Sequence, residues 1–137
     1  WNARNMKEKP DWVYRVFADE FIQWTNEQGI EFCCLESLYS PGLGVHLRER
    51  LGQEKVAIVY VDMDESVRLQ RQMIRQNLTS LDEARQLMLP RDQMKREWGV
   101  PAIADVAAVI IANSGSMENL TRIADAMIAR HCPELVG

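Results

Sequence analysis

Six residues in this sequence are of the right type, in the right local setting, to do chemistry: Glu36, Arg71, Arg75, Asn113, Ser114 and Gly115. Glu36 directly follows the apolar run "FCCL". A carboxylate at the carboxyl end of a strand can hold a metal-bound water or accept a substrate hydroxyl; it can equally be a solvated loop acid. Asn113, Ser114 and Gly115 open "NSGS", which joins the apolar run "AAVIIA" to a helical pattern. Free backbone N–H groups at such a junction attract an anion or bond the edge of a base. An ordinary capped turn from strand to helix uses the same residue types. Arg71 and Arg75 share a helix face with Arg68, at i, i+3 and i+7. Guanidinium groups so aligned can face a polyphosphate, whose oxygens they bind in pairs, or they can pair with acids on a solvated surface. Asp62, Asp64 and Glu65 read as a cluster that favours the dipole at a helix start.

Other chemistries lack their residues. With two histidines and no nucleophile turn, a Ser-His-Asp arrangement is not supported. Neither G-x-x-x-x-G-K-[ST] nor G-x-G-x-x-G occurs. Cys33, Cys34 and Cys132 form no disulfide framework, and His46 and His131 stand at no metal-ligand spacing from them. They are expected to be buried, reduced thiols of a cytoplasmic protein. The net charge of -4, with no basic block, argues against sequence-independent binding to nucleic acid. No apolar run approaches the roughly 20 residues that a membrane helix needs, and no signal peptide is visible.

The elements that would position these residues are legible from periodicity. "DWVYRVFADEFIQWTNEQG" is helical, with Asp11 as N-cap and Gly29 as stop. "IEFCCLE" reads as a buried strand, "SLYSPGLG" as a loop and "VHLRERLG" as a short helix. "VAIVYVD" is a strand, followed by the helix "DESVRLQRQMIRQN" with Val67, Leu69, Met73 and Ile74 on one side. "SLDEARQLML" opens with a capping box, Ser80 with Glu83, and Pro90 is expected to end it. "RDQMKREWG" is a charged helical piece, "AAVIIAN" a third strand, and "SMENLTRIADAMIARH" a last helix capped by Ser116. Its buried face should carry Leu120, Ile123, Ala124, Met127 and Ile128.

Strands alternating with helices predict an α/β fold, a three-layer parallel sheet with helices on both faces. Three strands are few for a sheet covered on both sides. With 137 residues the chain is expected to be a single domain over 1–137. It begins at Trp1 without an initiator Met and is expected to be incomplete at its N-terminus, lacking a first strand. Residues 76–101 read as a lid-like helical insertion.

The ordered set "VAIVYVDMDESVRLQRQMIRQN", "SLDEARQLMLPRD" and "AAVIIANSGSMENL" resembles the C-terminal half of P-loop nucleotide kinases related to dephospho-CoA kinase. "IEFCCLESLYSPGLGVHLRERLG" and "REWG" are similar to segments of related archaeal and phage kinases, so the resemblance spans about Asp11 to Ile128. It implies a P-loop kinase fold, here without the first strand and phosphate loop. It implies ATP and Mg2+ as cofactors, Arg75 as a lid arginine on nucleotide phosphates, Arg71 with it in steadying the transferring charge, Asn113 and Gly115 beside the adenine, and Glu36 near the acceptor. The chain departs from that pattern at Ala107, Ala108 and Ala112, and in having no Walker A loop.

Two functions are therefore expected. In the first, the intact protein transfers the γ-phosphoryl group of ATP to a small nucleotide-like or cofactor-precursor acceptor. In the second, a non-catalytic α/β module works through a homodimer or protein partner at an open sheet edge.

Overall fold

In the computed structural model of the protein, residue 5 and residues 8–133 are described; Trp1 lies outside them. The chain divides into two compact units, Trp1–Val56 and Ala57–Gly137.

Two long helices make up most of what is described of the first unit. Helix α1 spans Pro10–Glu27, with Pro10 in its first turn, where the missing N–H costs nothing, and Asp11 beside the positive end of the dipole. Its buried residues are Val13 and Ala18. It stops at Gln28, and Gly29 then takes the left-handed φ of 62°. Helix α2 spans Pro41–Leu51. It therefore begins inside the stretch read as loop: Pro41 enters at the helix start, and Gly42 and Gly44 are helical. Gly42 has a packing reason, because a Cβ there would meet the Tyr14 ring at 2.7 Å. The bare backbone lets that ring close in, and the Tyr14 hydroxyl bonds the buried Ser40 hydroxyl at 2.6 Å. Arg50 and Asp19 add an exposed ion pair at 2.7 Å.

"IEFCCLE" is not a strand. Residues 31–37 are all exposed, with Phe32 at 45% and Leu35 at 40%. A short apolar run has the same composition whether or not it finds a ladder partner, and this one has none among the described residues. Ser37 follows it with a left-handed φ of 63°.

The second unit holds the sheet. Strand β1 (Val59–Asp62) leads to helix α3 (Glu65–Arg75) and helix α4 (Leu81–Glu97). A 3-10 turn (Val100–Val106), strand β2 (Val109–Ala112) and helix α5 (Met117–His131) follow. The strands are parallel, with Val59 beside Val109 and Asp62 beside Ala112. Two helices lie in the connection between them, as a parallel pairing requires. Ile58, Leu69, Ala84, Ile103 and Ile111 form this unit's core.

The three-layer parallel sheet expected from the sequence is not what forms. The described residues are mostly helical, around a two-stranded sheet. Each strand is four residues long, and the apolar segment that would have supplied a third stays unpaired. Covering is also incomplete, since Val61 is 54% exposed and Ile110 58%.

Three local expectations are corrected. Pro90 lies inside α4 rather than ending it. Its ring removes one hydrogen bond, but on an exposed flank the orphaned carbonyl meets water. Ile74, assigned to the apolar face of α3, is 76% exposed. In α5 none of the five expected core residues is buried; they are half-buried, with Ile128 exposed.

Asp11 is not the cap of α1, which starts at Pro10 after Lys9, but the starts of α4 and α5 follow the sequence closely. Ser80 accepts the Glu83 N–H at 3.2 Å, and Ser116 accepts the Asn119 N–H at 3.2 Å. The return arm of the first box reaches further back than expected. Glu83 accepts the Thr79 N–H at 2.9 Å and the Thr79 hydroxyl at 3.0 Å.

Candidate functional site at the carboxyl end of the two strands

Parallel strands end together, so the turns that follow them share one edge of the sheet. Here these are Met63–Asp64 after β1 and Asn113–Ser116 after β2. The ladder runs one step past β2, with the Asn113 N–H donating to the Asp62 carbonyl at 2.7 Å. The Asp64 N–H donates to the Ser114 hydroxyl oxygen at 2.9 Å, tying one turn to the other.

Arg71 locks this edge. It projects from the middle of α3 and donates through Nη1 to the Asn113 carbonyl at 2.8 Å and to Asn113 Oδ1 at 3.0 Å. Nη2 donates to the Gly115 carbonyl at 2.7 Å, and Nη1 also lies 3.6 Å from the Met63 sulfur. A planar fork suits two carbonyl groups of one turn, which a lysine's single ammonium could not span. Three of the six candidate residues, Arg71, Asn113 and Gly115, are thus in direct contact, and Ser114 lies between them.

The contacts determine what this edge can still offer. Asn113 has its carbonyl oxygens occupied, which leaves its side-chain amide N–H groups to donate. Ser114 accepts from Asp64 and retains its own proton to donate. Ser116 is spent as the cap of α5. On the acidic side, Asp62 accepts the Met63 N–H at 3.0 Å, and Asp62, Asp64 and Glu65 are all exposed. The edge therefore presents amide and hydroxyl donors next to carboxylate acceptors. Its one inward cation, Arg71, is already consumed by backbone carbonyls. A base edge or a sugar hydroxyl suits such a surface better than a bare polyphosphate does.

The arginine stripe does not act as a unit. Arg68 forks onto Asp92 of α4, with both N···O distances 2.7 Å. The hydrogen bond to Asp92 raises the Arg68 pKa above its ordinary value against the opposing effect of partial burial. Arg75 is exposed and makes no ion pair among the described residues. Glu36 is exposed and belongs to the first unit. The Arg71 lock and the Asp92 partner had no signal in sequence, because both contacts join residues far apart in the chain.

The thiols correct an expectation. Cys33 and Cys34 are exposed and Cys132 is half-buried; none is in a disulfide. Among the described residues no group of three or more His, Cys, Asp or Glu is placed to hold a metal ion, and no helix is long and apolar enough to cross a membrane. Comparison with protein-family models, with curated proteins and with solved structures finds no match to this chain.

Proposed function

We propose that the edge formed by Asp62–Asp64 and Asn113–Gly115 binds the nucleoside end of a nucleotide, in a kinase-like protein that uses ATP with Mg2+. The observation that carries this reading is the Arg71 lock, which fixes the β2–α5 turn so that the Asn113 amide and the Ser114 hydroxyl are held as donors. Preset donors lose little freedom on binding. The carboxylates of Asp62 and Asp64 would accept ribose hydroxyls, and Arg75, one turn beyond Arg71 on α3, would meet phosphate oxygens. Phosphoryl transfer also needs a phosphate cradle, and no Walker A motif occurs in these 137 residues.

A second reading, a non-catalytic module that docks a protein partner, draws support from the exposed Val61 and Ile110 on the two strands.

Thermal unfolding with adenosine, and with ATP and Mg2+, tests the first reading. A ligand at 100 times its dissociation constant adds about 2.7 kcal/mol. Both ligands should raise the midpoint. Asn113→Ala should abolish both shifts, and Arg75→Ala only the additional shift that phosphates give. No shift with either ligand would leave the docking reading.

A further inference from the structure

We infer that Cys33 and Cys34 form a two-thiol site for a trivalent, thiophilic metalloid of the arsenic(III) type. Both side chains are exposed. They lie in residues 31–38, which form no helix or strand and make no hydrogen bond with the described residues. That matters because in a strand neighbouring side chains point to opposite faces and could not share a ligand. Here no ladder of hydrogen bonds fixes the two side chains on opposite faces.

Adjacency then selects the occupant. Consecutive Cα atoms are about 3.8 Å apart, whereas a relaxed disulfide spans about 4.4–6.8 Å between Cα atoms. Direct S–S bonding is therefore strained and easily reversed. A bridging atom lengthens the span and removes that strain. Zinc calls for four ligands, and among the described residues no third His, Cys, Asp or Glu joins the pair. A pyramidal trivalent centre needs only two thiolates at a bent angle, with its third position filled from outside the protein. The stoichiometry with an organic arsenoxide balances: two S–H bonds and the arsenic–oxygen bonds are exchanged for two As–S bonds, and the oxygen leaves with both protons as water. Arsenic stays trivalent and no electrons are transferred.

The test is intact-mass spectrometry of the 137-residue chain treated with phenylarsine oxide, then challenged with 2-mercaptoethanol and afterwards with 2,3-dimercaptopropanol. The expected result is a one-to-one adduct that survives the monothiol and is stripped by the dithiol. Cys33→Ser and Cys34→Ser should each lose the retained adduct, while Cys132→Ser keeps it. Release by the monothiol from the unaltered chain, or equal retention in either single variant, would overturn the inference. Serine at these exposed positions removes no core packing, so loss of the adduct reports loss of the site.

Discussion

A single guanidinium decides whether the strand-end turns keep their shape. Arg71 makes charge-assisted hydrogen bonds to two backbone carbonyls in the same turn, and such bonds contribute about 1.5–3 kcal/mol each, net of the exchange with water. Arg71 is only half-buried, so Arg71→Ala is expected to destabilise by an amount toward the low end of that range. Arg71→Lys should recover less than half of the loss, because an ammonium is a point donor without a fork. Urea unfolding of both variants measures this; a lysine variant as stable as the original would show that charge alone holds the turn. The candidate site was partly legible at this scale. Its residue types marked Asn113, Ser114, Gly115 and Arg71, and all four meet at one edge. What the sequence could not show was direction: Arg71 points into its own chain rather than outward. Arg68 likewise spends its charge on Asp92, a partner 24 positions away.

The element scale shows why some boundaries could be read and others not. A cap is local chemistry, so Ser80 and Ser116 stand where their spacing put them. The Glu83 carboxyl titrates below its ordinary value, first because of the Thr79 backbone N–H and then the Thr79 hydroxyl. A depressed folded pKa means a stabilising contribution that is complete above the unfolded value of about 4.3 and is lost as pH falls through the lower folded value. A carboxyl NMR titration should therefore place Glu83 below the ordinary glutamate value, and Glu83→Gln should flatten that part of the acid limb of stability. Pro90 marks the limit of local rules, since a proline signals a break and α4 continues through it. Pro90→Ala restores a hydrogen bond and relieves the ring's clash, together worth about 3 kcal/mol in a helix interior. The unfolded chain regains freedom worth about 0.4–1 kcal/mol. A net gain near 2 kcal/mol is expected in thermal unfolding, and a loss would mean that α4 requires its bend. "IEFCCLE" failed for the opposite reason: its composition suits a strand, but a strand exists only with a neighbour.

At the scale of the whole molecule, two units are built on different principles. The first, Trp1–Val56, joins helix to helix through Tyr14 and Ser40. The second, Ala57–Gly137, rests on contacts between distant parts of the chain. Its strand pair would be marginal alone and depends on Leu69, Ala84 and Ile103, supplied by the intervening helices and turn. Periodicity gave the alternation of strands and helices in this unit, because each signal is local. It could not give the number of strands, which depends on pairing.

The Arg71 lock also has a place in time. Its bonds to Asn113 and Gly115 close loops of 42 and 44 residues, and the bond from Asp64 to Ser114 closes one of 50. Closing a long loop carries an entropic cost that must be met before any contact rewards it. Helices α3 and α4 can form earlier, since their hydrogen bonds are local. The lock therefore belongs to the last stage of folding. In a chevron experiment, Arg71→Ala should leave the folding rate nearly unchanged and speed unfolding. The residue that fixes the candidate site would then govern how long the folded state persists, and have little influence on how quickly it is reached.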